Sequence, residues 1–249
     1  KKILFILAIT LLATEAFAAR KEYKREIVKE FSVGDNPVLS IENKYGNIRI
    51  IEGTNRKITF KIEIRGEGRT EEAARKYAES VSVDFSHSGN QVSARTKFES
   101  LNCNNCGRSV HYIVTAPKSV IPLLENKYGN IYLDNLVQPL TVELKYGDLF
   151  ANALNKATID IRYGKATMNK CKNLSIESKY SGIKIDEAGQ VVADSKYDNY
   201  RIESVSDFEI ETGYTDVRIG KLNKRLTADR LRYGGLKISE VAKDFSEIR

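Results

Sequence analysis

Residues 140–185 read LTVELKYGDLFANALNKATIDIRYGKATMNKCKNLSIESKYSGIKI, and this stretch decides the fold. A Lys/Arg-Tyr-Gly/Ser motif occurs in it three times, with apolar and polar residues alternating on either side. Alternation with period two is the pattern of a β-strand, not of a helix. Glycine, serine and aspartate between two such runs are typical of a tight turn. The stretch therefore predicts a unit of strand, turn and strand about every 17 residues.

The same motif recurs along most of the chain. From its second occurrence onward, the tyrosines are separated by 18, 17, 17, 17, 17 and 19 residues. Its eight tyrosines are Tyr45, Tyr128, Tyr146, Tyr163, Tyr180, Tyr197, Tyr214 and Tyr233. One unit cannot bury its own apolar face, whereas stacked units bury a continuous core. We therefore predict an all-β fold, a parallel β-solenoid with coils of about 17 residues and two strands per coil.

The repeat is interrupted for 83 residues between Tyr45 and Tyr128. Within this interval, residues 58–65 and 110–115 alternate as strands, Thr70 begins a helical pattern, and two further runs flank a Ser-Gly-Asn turn. We interpret 58–116 as an inserted α/β excursion that caps the solenoid. Residues 19–57 then form the N-terminal strand and first coil, and 117–249 form the tandem coils.

Both ends of the chain carry further signals. Residues 1–18 contain two lysines, an apolar run and Ala16-Phe17-Ala18, the pattern of a secretory signal peptide, and the run is too short to span a bilayer. We expect an exported protein of the periplasm, outer cell surface or medium, without a transmembrane segment. At the other end, residues 241–245 resemble 205–208, where a coil begins, so we predict a last coil that is incomplete or completed by another molecule.

Charged residues also follow the repeat. The formal net charge of +7 does not identify a partner, because an acidic column three residues before seven of the tyrosines lies beside a basic column one residue before all of them but Tyr214. A solvated, salt-bridged face and an anion- or glycan-binding face are both open. A second, partly basic column four residues after the tyrosine favours a ligand stripe. Its members are Arg49, Lys184, Arg201, Arg218 and Lys237.

The tyrosines themselves allow two interpretations. By strand parity they face inward, and we expect them to stack from coil to coil as a structural ladder with the hydroxyls toward water. The alternative is an exposed platform on which sugars stack.

Cysteine chemistry is confined to one loop. Cys103 and Cys106 are spaced for a local disulfide in an exported protein. A redox pair and a zinc site that includes His111 are the alternatives, although redox pairs favour a helix N-terminus and zinc needs four ligands. Cys171 occupies a repeat position that holds apolar residues in other coils, so we expect it in the core.

Motifs for enzymatic chemistry are absent from the sequence: it has no GxSxG, HExxH, Walker loop or GxGxxG. The acids that depart from the repeat, such as Asp186 and Glu187, have no evident partners. We predict no catalytic residue, no metal and no cofactor. Nucleic acid is disfavoured by export and by the paired charges. The oligomeric state is not predicted.

The signal peptide, the first coil, the excursion and the tandem Tyr-Gly-Asn/Asp units together resemble a bacterial putative-adhesin family of unknown function. That family is related to auto-transporter-adhesin head (GIN-type) domains. The resemblance covers nearly all of residues 20–249 and implies a right-handed β-solenoid in the cell envelope or on the cell surface. We therefore expect a non-enzymatic protein of cell-surface adhesion, or an envelope scaffold, that binds protein or glycan along its side. A carbohydrate-active enzyme and an envelope sensor that uses the cysteine loop are the alternatives.

Overall fold

The computed structural model describes residues 20–102 and 105–249, so the predicted signal peptide lies outside the described residues. The described chain is almost entirely β-structure and forms a solenoid of about seven turns, which confirms the predicted fold and the coil length of about 17 residues. The strands are β1 Lys21–Ser32, β2 Val38–Lys44, β3 Ile48–Gly53, β4 Lys57–Gly68, β5 Val81–Ser88, β6 Gln91–Phe98, β7 Gly107–Pro117, β8 Ile121–Lys127, β9 Ile131–Leu136, β10 Leu140–Lys145, β11 Leu149–Arg162, β12 Lys165–Lys179, β13 Gly182–Lys196, β14 Asn199–Gly213, β15 Asp216–Arg232, β16 Leu236–Val241 and β17 Glu247–Ile248. The helix α1 spans Glu71–Glu79.

Successive coils pair in parallel, with equivalent repeat positions in register. Ile159 of β11, for example, lies opposite Ile176 of β12, and both side chains are buried. The alternating inward residues of every coil join one continuous hydrophobic core. The sequence predicted separate units of strand, turn and strand, but β11 through β15 each continue from one unit into the next as a single strand. The bend is instead made inside the strand, where Asn152 and Asn155 of β11 are skipped in the pairing with β12.

The tight turns hold the repeated tyrosines in an unusual backbone conformation. All eight have φ between 52° and 62°, in the left-handed region that few residues other than glycine adopt. The glycine that follows five of these tyrosines serves another purpose: a Cβ at Gly129 would lie 1.9 Å from the carbonyl oxygen of Gly46 in the preceding coil. Glycine is needed there because the two turns approach so closely.

The tyrosine side chains face solvent, not the core. Seven rings are 38–52% exposed and Tyr233 is 80% exposed, so the inward parity expected from the strand pattern is wrong. The positive φ of each tyrosine breaks the alternation at the turn and turns its side chain outward. Consecutive rings are nearly parallel, with centroids 4.8–5.3 Å apart. We call these eight rings the tyrosine ladder.

The excursion lies at the N-terminal end of the solenoid. The first coil, β2 and β3, pairs with β8 and β9 on one side and with β6 and β7 of the excursion on the other. Beyond them, β5 pairs antiparallel with β6, and β4 pairs antiparallel with β7 and β1. Helix α1, which Thr70 caps by accepting a hydrogen bond from Ala73 N at 3.1 Å, packs mainly on β4. This placement supports a capping role, which stays a proposal together with the domain boundaries.

At the C-terminal end, β16 and β17 both pair with β15. The sequence repeat aligned Phe245 with Phe208. In the structure, Phe208 pairs with Leu226 of β15, and Leu226 pairs with Ile248 of β17, so Ile248 takes the position expected for Phe245. Residues 242–246 instead make a turn, in which Ser246 N donates to Lys224 O at 2.9 Å.

No helix in 20–102 or 105–249 is long and apolar enough to cross a membrane.

Candidate functional site

The tyrosine ladder divides the outer surface of the solenoid into two sides. The paired side is formed by the runs that precede the tyrosines, such as residues 157–162. The stripe side is formed by the runs that follow them, such as residues 149–154. Both runs pair in register with the coils above and below, so each outward position becomes a straight row parallel to the solenoid axis.

On the paired side, acids and bases neutralise one another. Arg162 binds Asp160 through two hydrogen bonds, at 3.0 and 2.8 Å, and lies 3.4 Å from Glu177 of the next coil. The pKa of Arg162 is raised, chiefly by its hydrogen bond to Asp160. Lys145 pairs with Glu143 at 2.6 Å, and this hydrogen bond raises the pKa of the lysine. This is the salt-bridged face that the sequence left as one of two interpretations.

The neutralisation is incomplete toward both ends of the paired side. The residues of its two charged rows that form no ion pair with any described residue are Lys44, Glu125, Lys127, Asp194, Lys196 and Arg232. Glu125 forms no ion pair within the described part of the chain, and its pKa is raised, first by burial and then by the neighbouring carboxylates of Glu143 and Glu42. Lys127, two residues later, lies over the ring of Tyr128 instead, with its Nζ 5.1 Å from the ring centroid.

The tyrosine ladder offers few ring faces to a ligand. Tyr163, for example, is stacked between Tyr146 and Tyr180 with centroid distances of 5.0 and 5.1 Å. Both of its faces are covered, so its exposed part is the ring edge with the hydroxyl group. A sugar that packs against an aromatic ring needs an open face, and six of the eight rings are stacked on both sides. The ladder is therefore a poor sugar platform.

The stripe side carries a different row. We call the stripe the eight outward side chains that lie four residues after each ladder tyrosine. From the first coil to the last it consists of Arg49, Tyr132, Phe150, Thr167, Lys184, Arg201, Arg218 and Lys237. The structure therefore brings together four of the five predicted stripe residues, whereas Arg49 lies apart from them, at the other end.

The four cations at one end of the stripe are exposed and mostly unpaired. Lys184 lies 3.6 Å from Asp186. Arg201, Arg218 and Lys237 form no ion pair with any residue that the structure describes. Like charges directly opposite one another on neighbouring strands destabilise a sheet. The row is therefore unfavourable for folding. Bases on the paired side also lie opposite one another, but Lys145, Arg162 and Lys179 each bind an acid that offsets the repulsion.

The other end of the stripe is aromatic. The rings of Tyr132 and Phe150 stack with centroids 5.2 Å apart, and Arg49 lies over Tyr132 with its guanidinium carbon 4.7 Å from the centroid. Phe150 is 38% exposed, and the next residue in the row is the short Thr167. Sequence reasoning missed this pair because it searched the column for bases only; reading every residue at that position would have found it.

Open depressions follow the stripe. One of about 380 Å³ is lined by Arg49, Tyr132, Phe150 and Thr167, with Asn152 and Asn169 beside them. Two more, of about 250 and 200 Å³, lie along the cationic end. A depression of about 400 Å³ lies on the paired side, lined by residues that include Lys196, Glu211, Gly213 and Arg230. Its charges are of both signs, and two of its bases are held by acids: Arg230 lies 2.6 Å from Glu211 and Lys179 lies 3.2 Å from Glu177.

A buried polar cluster joins the two sides behind the turn. The carboxylate of Asp198 accepts hydrogen bonds from Ser178 Oγ at 2.8 Å, Ser195 Oγ at 2.7 Å and Ser181 N at 2.6 Å. Ser178 Oγ also lies 2.6 Å from the hydroxyl of Tyr200, which is fully buried and whose pKa is raised by desolvation. The serines contact a carboxylate without an imidazole base and without access to solvent. The cluster is suited to holding the turns together, not to nucleophilic chemistry.

The cysteine loop connects β6 to β7. Cys103 lies outside the described residues, so the disulfide with Cys106 stays a prediction. His111, the ligand of the alternative zinc site, is half-buried and uses both ring nitrogens: Nδ1 accepts from Asn47 N at 3.3 Å, and Nε2 lies 3.1 Å from Ser109 Oγ. Cys171 is buried as expected, and burial raises the pKa of its thiol to about 11.

The acids outside the repeat have partners after all. Glu187 pairs with Lys170 at 2.7 Å, and Asp186 lies next to Lys184. Within 20–102 and 105–249, no group of three or more His, Cys, Asp or Glu residues is placed to hold a metal ion.

Comparison with known proteins gives structural likenesses only. No family model and no curated protein matches the sequence. Among solved structures, the chain is similar to a putative adhesin of Parabacteroides merdae (13% identity, 90% of this chain and 95% of that chain, TM-score 0.44). It is also similar to a putative cell adhesion protein of Clostridium sporogenes (11%, 88% and 100%, 0.34) and a putative lipid binding protein of Parabacteroides distasonis (10%, 90% and 96%, 0.36). Similarity at this level describes the fold and carries no functional argument.

Proposed function

We propose that this protein is a non-enzymatic binding scaffold that holds an extended surface glycan or protein along the stripe side of its solenoid. The observation that carries the proposal is the stripe itself. Three of its exposed cations, Arg201, Arg218 and Lys237, lie in register and form no ion pair with any residue that the structure describes. Its aromatic pair, of which Phe150 is exposed, lies beside an open depression. Side chains that weaken a sheet without packing against anything are better explained by a ligand than by stability.

The rest of the surface supports this choice by contrast. The middle coils of the paired side satisfy their charges internally, and the tyrosine ladder covers most of its own ring faces.

Adhesion at the cell surface, or an envelope scaffold, is the setting that we propose for this binding. It rests on the signal peptide pattern and on the resemblance to adhesin-like families, including the relation to GIN-type head domains. The periplasm, the outer surface and the medium are the compartments this setting includes.

Attachment of whole cells and binding to a glycan array test the proposal. The purified protein is compared with an Arg201→Gln/Arg218→Gln variant. We expect the wild type to bind cells or glycans, and the variant to bind less. Absence of binding in both assays, together with turnover of a polysaccharide, would overturn the proposal in favour of a carbohydrate-active enzyme.

A further inference from the structure

The cationic end of the stripe determines the sign of the ligand's charge. Arg201 lies opposite Lys184 on one neighbouring strand and opposite Arg218 on the other, and Lys237 continues the row. The nearby carboxylates are Asp186, Glu203 and Asp216. Asp186 contacts Lys184, and Asp216 Oδ1 accepts a hydrogen bond from Gly235 N at 3.0 Å. The arginines therefore keep free donors for an anionic group.

The geometry of the row determines the ligand's shape. Neighbouring strands are about 4.8 Å apart, so the four cations span about 14 Å and the whole stripe about 34 Å. A small anion would contact two cations at most. A straight chain with repeated negative charges can contact all four, and can extend along the solenoid axis to the aromatic end.

The aromatic end determines the ligand's chemistry. The exposed ring of Phe150 is adjacent to Asn152 and Asn169, whose side-chain amides are linked by a hydrogen bond of 2.9 Å. An apolar ring surface beside amide donors and acceptors suits a sugar, which has an apolar C–H face and a rim of hydroxyl groups.

Two other polyanions fit this surface less well. Single-stranded nucleic acid is bound by aromatic rings on which successive bases stack, but Tyr132 and Phe150 cover each other and leave one outer face. A phosphate-rich membrane surface would bring dense negative charge against Glu203 and Asp216 as well as against the arginines.

We infer that the stripe binds a linear acidic polysaccharide, with its carboxylate or sulfate groups on Lys184, Arg201, Arg218 and Lys237 and a sugar ring on Phe150. This inference rests on the proposed function and names the ligand class for it.

The test measures binding of the full chain to fluorescently labelled polygalacturonate and heparin oligosaccharides at low and high salt. Neutral dextran, oligo(dT) and vesicles that contain phosphatidylglycerol are measured alongside. We expect both acidic glycans to bind, with affinity that falls as salt rises. The Arg201→Gln/Arg218→Gln variant should lose about tenfold in affinity, because two desolvated charge contacts are removed.

The matched control is Lys145→Gln/Lys179→Gln, which removes the same net charge from the paired side. Both lysines already bind acids there, at 2.6 and 3.2 Å, so we expect this variant to bind nearly as well as the wild type. Phe150→Ala should weaken binding several-fold at both salt concentrations, since it removes an apolar contact. Thermal unfolding of each variant verifies that it is folded.

Equal losses in the two double variants would overturn the inference, because they would indicate attraction to net charge alone. Tighter binding of oligo(dT) or of vesicles than of the acidic glycans would also overturn it. Stripe-dependent binding of neutral glycans or of a protein, without binding of acidic ones, would refute the ligand class but keep the proposed function. No binding on an array and no attachment to cells would refute both.

Discussion

Arg162 and Arg218 occupy outward positions on opposite sides of the same solenoid. Arg162 lies between the carboxylates of Asp160 and Glu177, whereas Arg218 lies opposite Arg201 and Lys237. The repeat that creates both rows is the same, so the difference arises from the residues in the adjacent rows. Where the acids of an adjacent row form ion pairs with the bases, a charged row is structural. Where they do not, the charge is left for another molecule.

The paired side and the stripe side stay in register only while the turn between them is held in place. Substitution of Asp198 tests that turn and should have the largest effect. Replacing it with asparagine puts an amide NH2 group against serine hydroxyls and backbone N–H donors in a buried site. We expect the free energy of unfolding to fall by about 2–4 kcal/mol. Urea unfolding measures this loss, with the exposed Asp186→Asn as control. A loss no larger than that of the control would show that the cluster does not hold the turn.

The tyrosine ladder, which separates the two sides, has the next largest expected effect. Tyr163→Ala removes two stacking contacts but keeps a left-handed φ of 58°, so we expect a loss of about 1–3 kcal/mol. Tyr163→Gly loses the same contacts but adopts this φ without strain, and should be less destabilising than the alanine variant. Thermal and urea unfolding measure both. If glycine is the worse substitution, backbone strain is not significant at this position.

Substitution of Arg162 and of Arg218 should change the free energy of unfolding by smaller amounts, and in opposite directions. Arg162→Gln breaks its ion pairs and should destabilise the fold by about 0.5–1 kcal/mol, a modest value because the group is partly exposed. Arg218→Gln relieves repulsion between like charges and should leave stability unchanged or raise it by a few tenths of a kcal/mol at low salt. Urea titrations at two salt concentrations measure both. Equal destabilisation by the two substitutions would contradict the distinction between the sides.

Glu125 is an unpaired acid on the paired side and should give the smallest effect, one that depends on pH. Its pKa in the folded protein is raised above the ordinary 4.5, so its charged form destabilises the fold near neutral pH. This penalty disappears as the pH falls through the raised pKa toward 4.5. Glu125→Gln should therefore stabilise by a few tenths of a kcal/mol near pH 7, since the group is exposed, with the difference lost in acid.

Glu143→Gln serves as the control for Glu125, because Glu143 bonds Lys145 and its loss should destabilise near neutral pH. Thermal unfolding across the pH range measures both variants. A stabilisation by Glu125→Gln that grows in acid would contradict the sign argued here.

Much of the fold followed from regular spacing. The alternation around residues such as Ile159 and Ile176 predicted strands, and the 17-residue interval predicted that these strands stack in register. The repeat also predicted that Lys184 and Arg201 are neighbours. Both lie four residues after a ladder tyrosine, and residues at the same repeat position in successive coils lie side by side. The same approach missed Phe150, since it selected residues by charge and not by position.

Other features depended on contacts that no local pattern contains. The outward direction of Tyr163 follows from its φ and from rings in the coils on either side. The position of β6 and β7 outside the first coil depends on pairing between segments far apart in the sequence. Ile248, not Phe245, pairs with Leu226 because residues 242–246 form a turn, although their sequence resembles the start of a strand.

By itself, the sequence determined the repeating strand unit, the coil length and the rows of like residues, because these need only periodicity and the burial of apolar side chains. Tertiary structure alone decided which charged rows are neutralised, which ring faces stay open and how the buried carboxylate of Asp198 is satisfied. The physical reason is that ion pairs, stacking and buried hydrogen bonds depend on distances between different coils. Away from the turns, a pattern along one strand fixes which way a side chain points, and only the packed solenoid fixes what it contacts there.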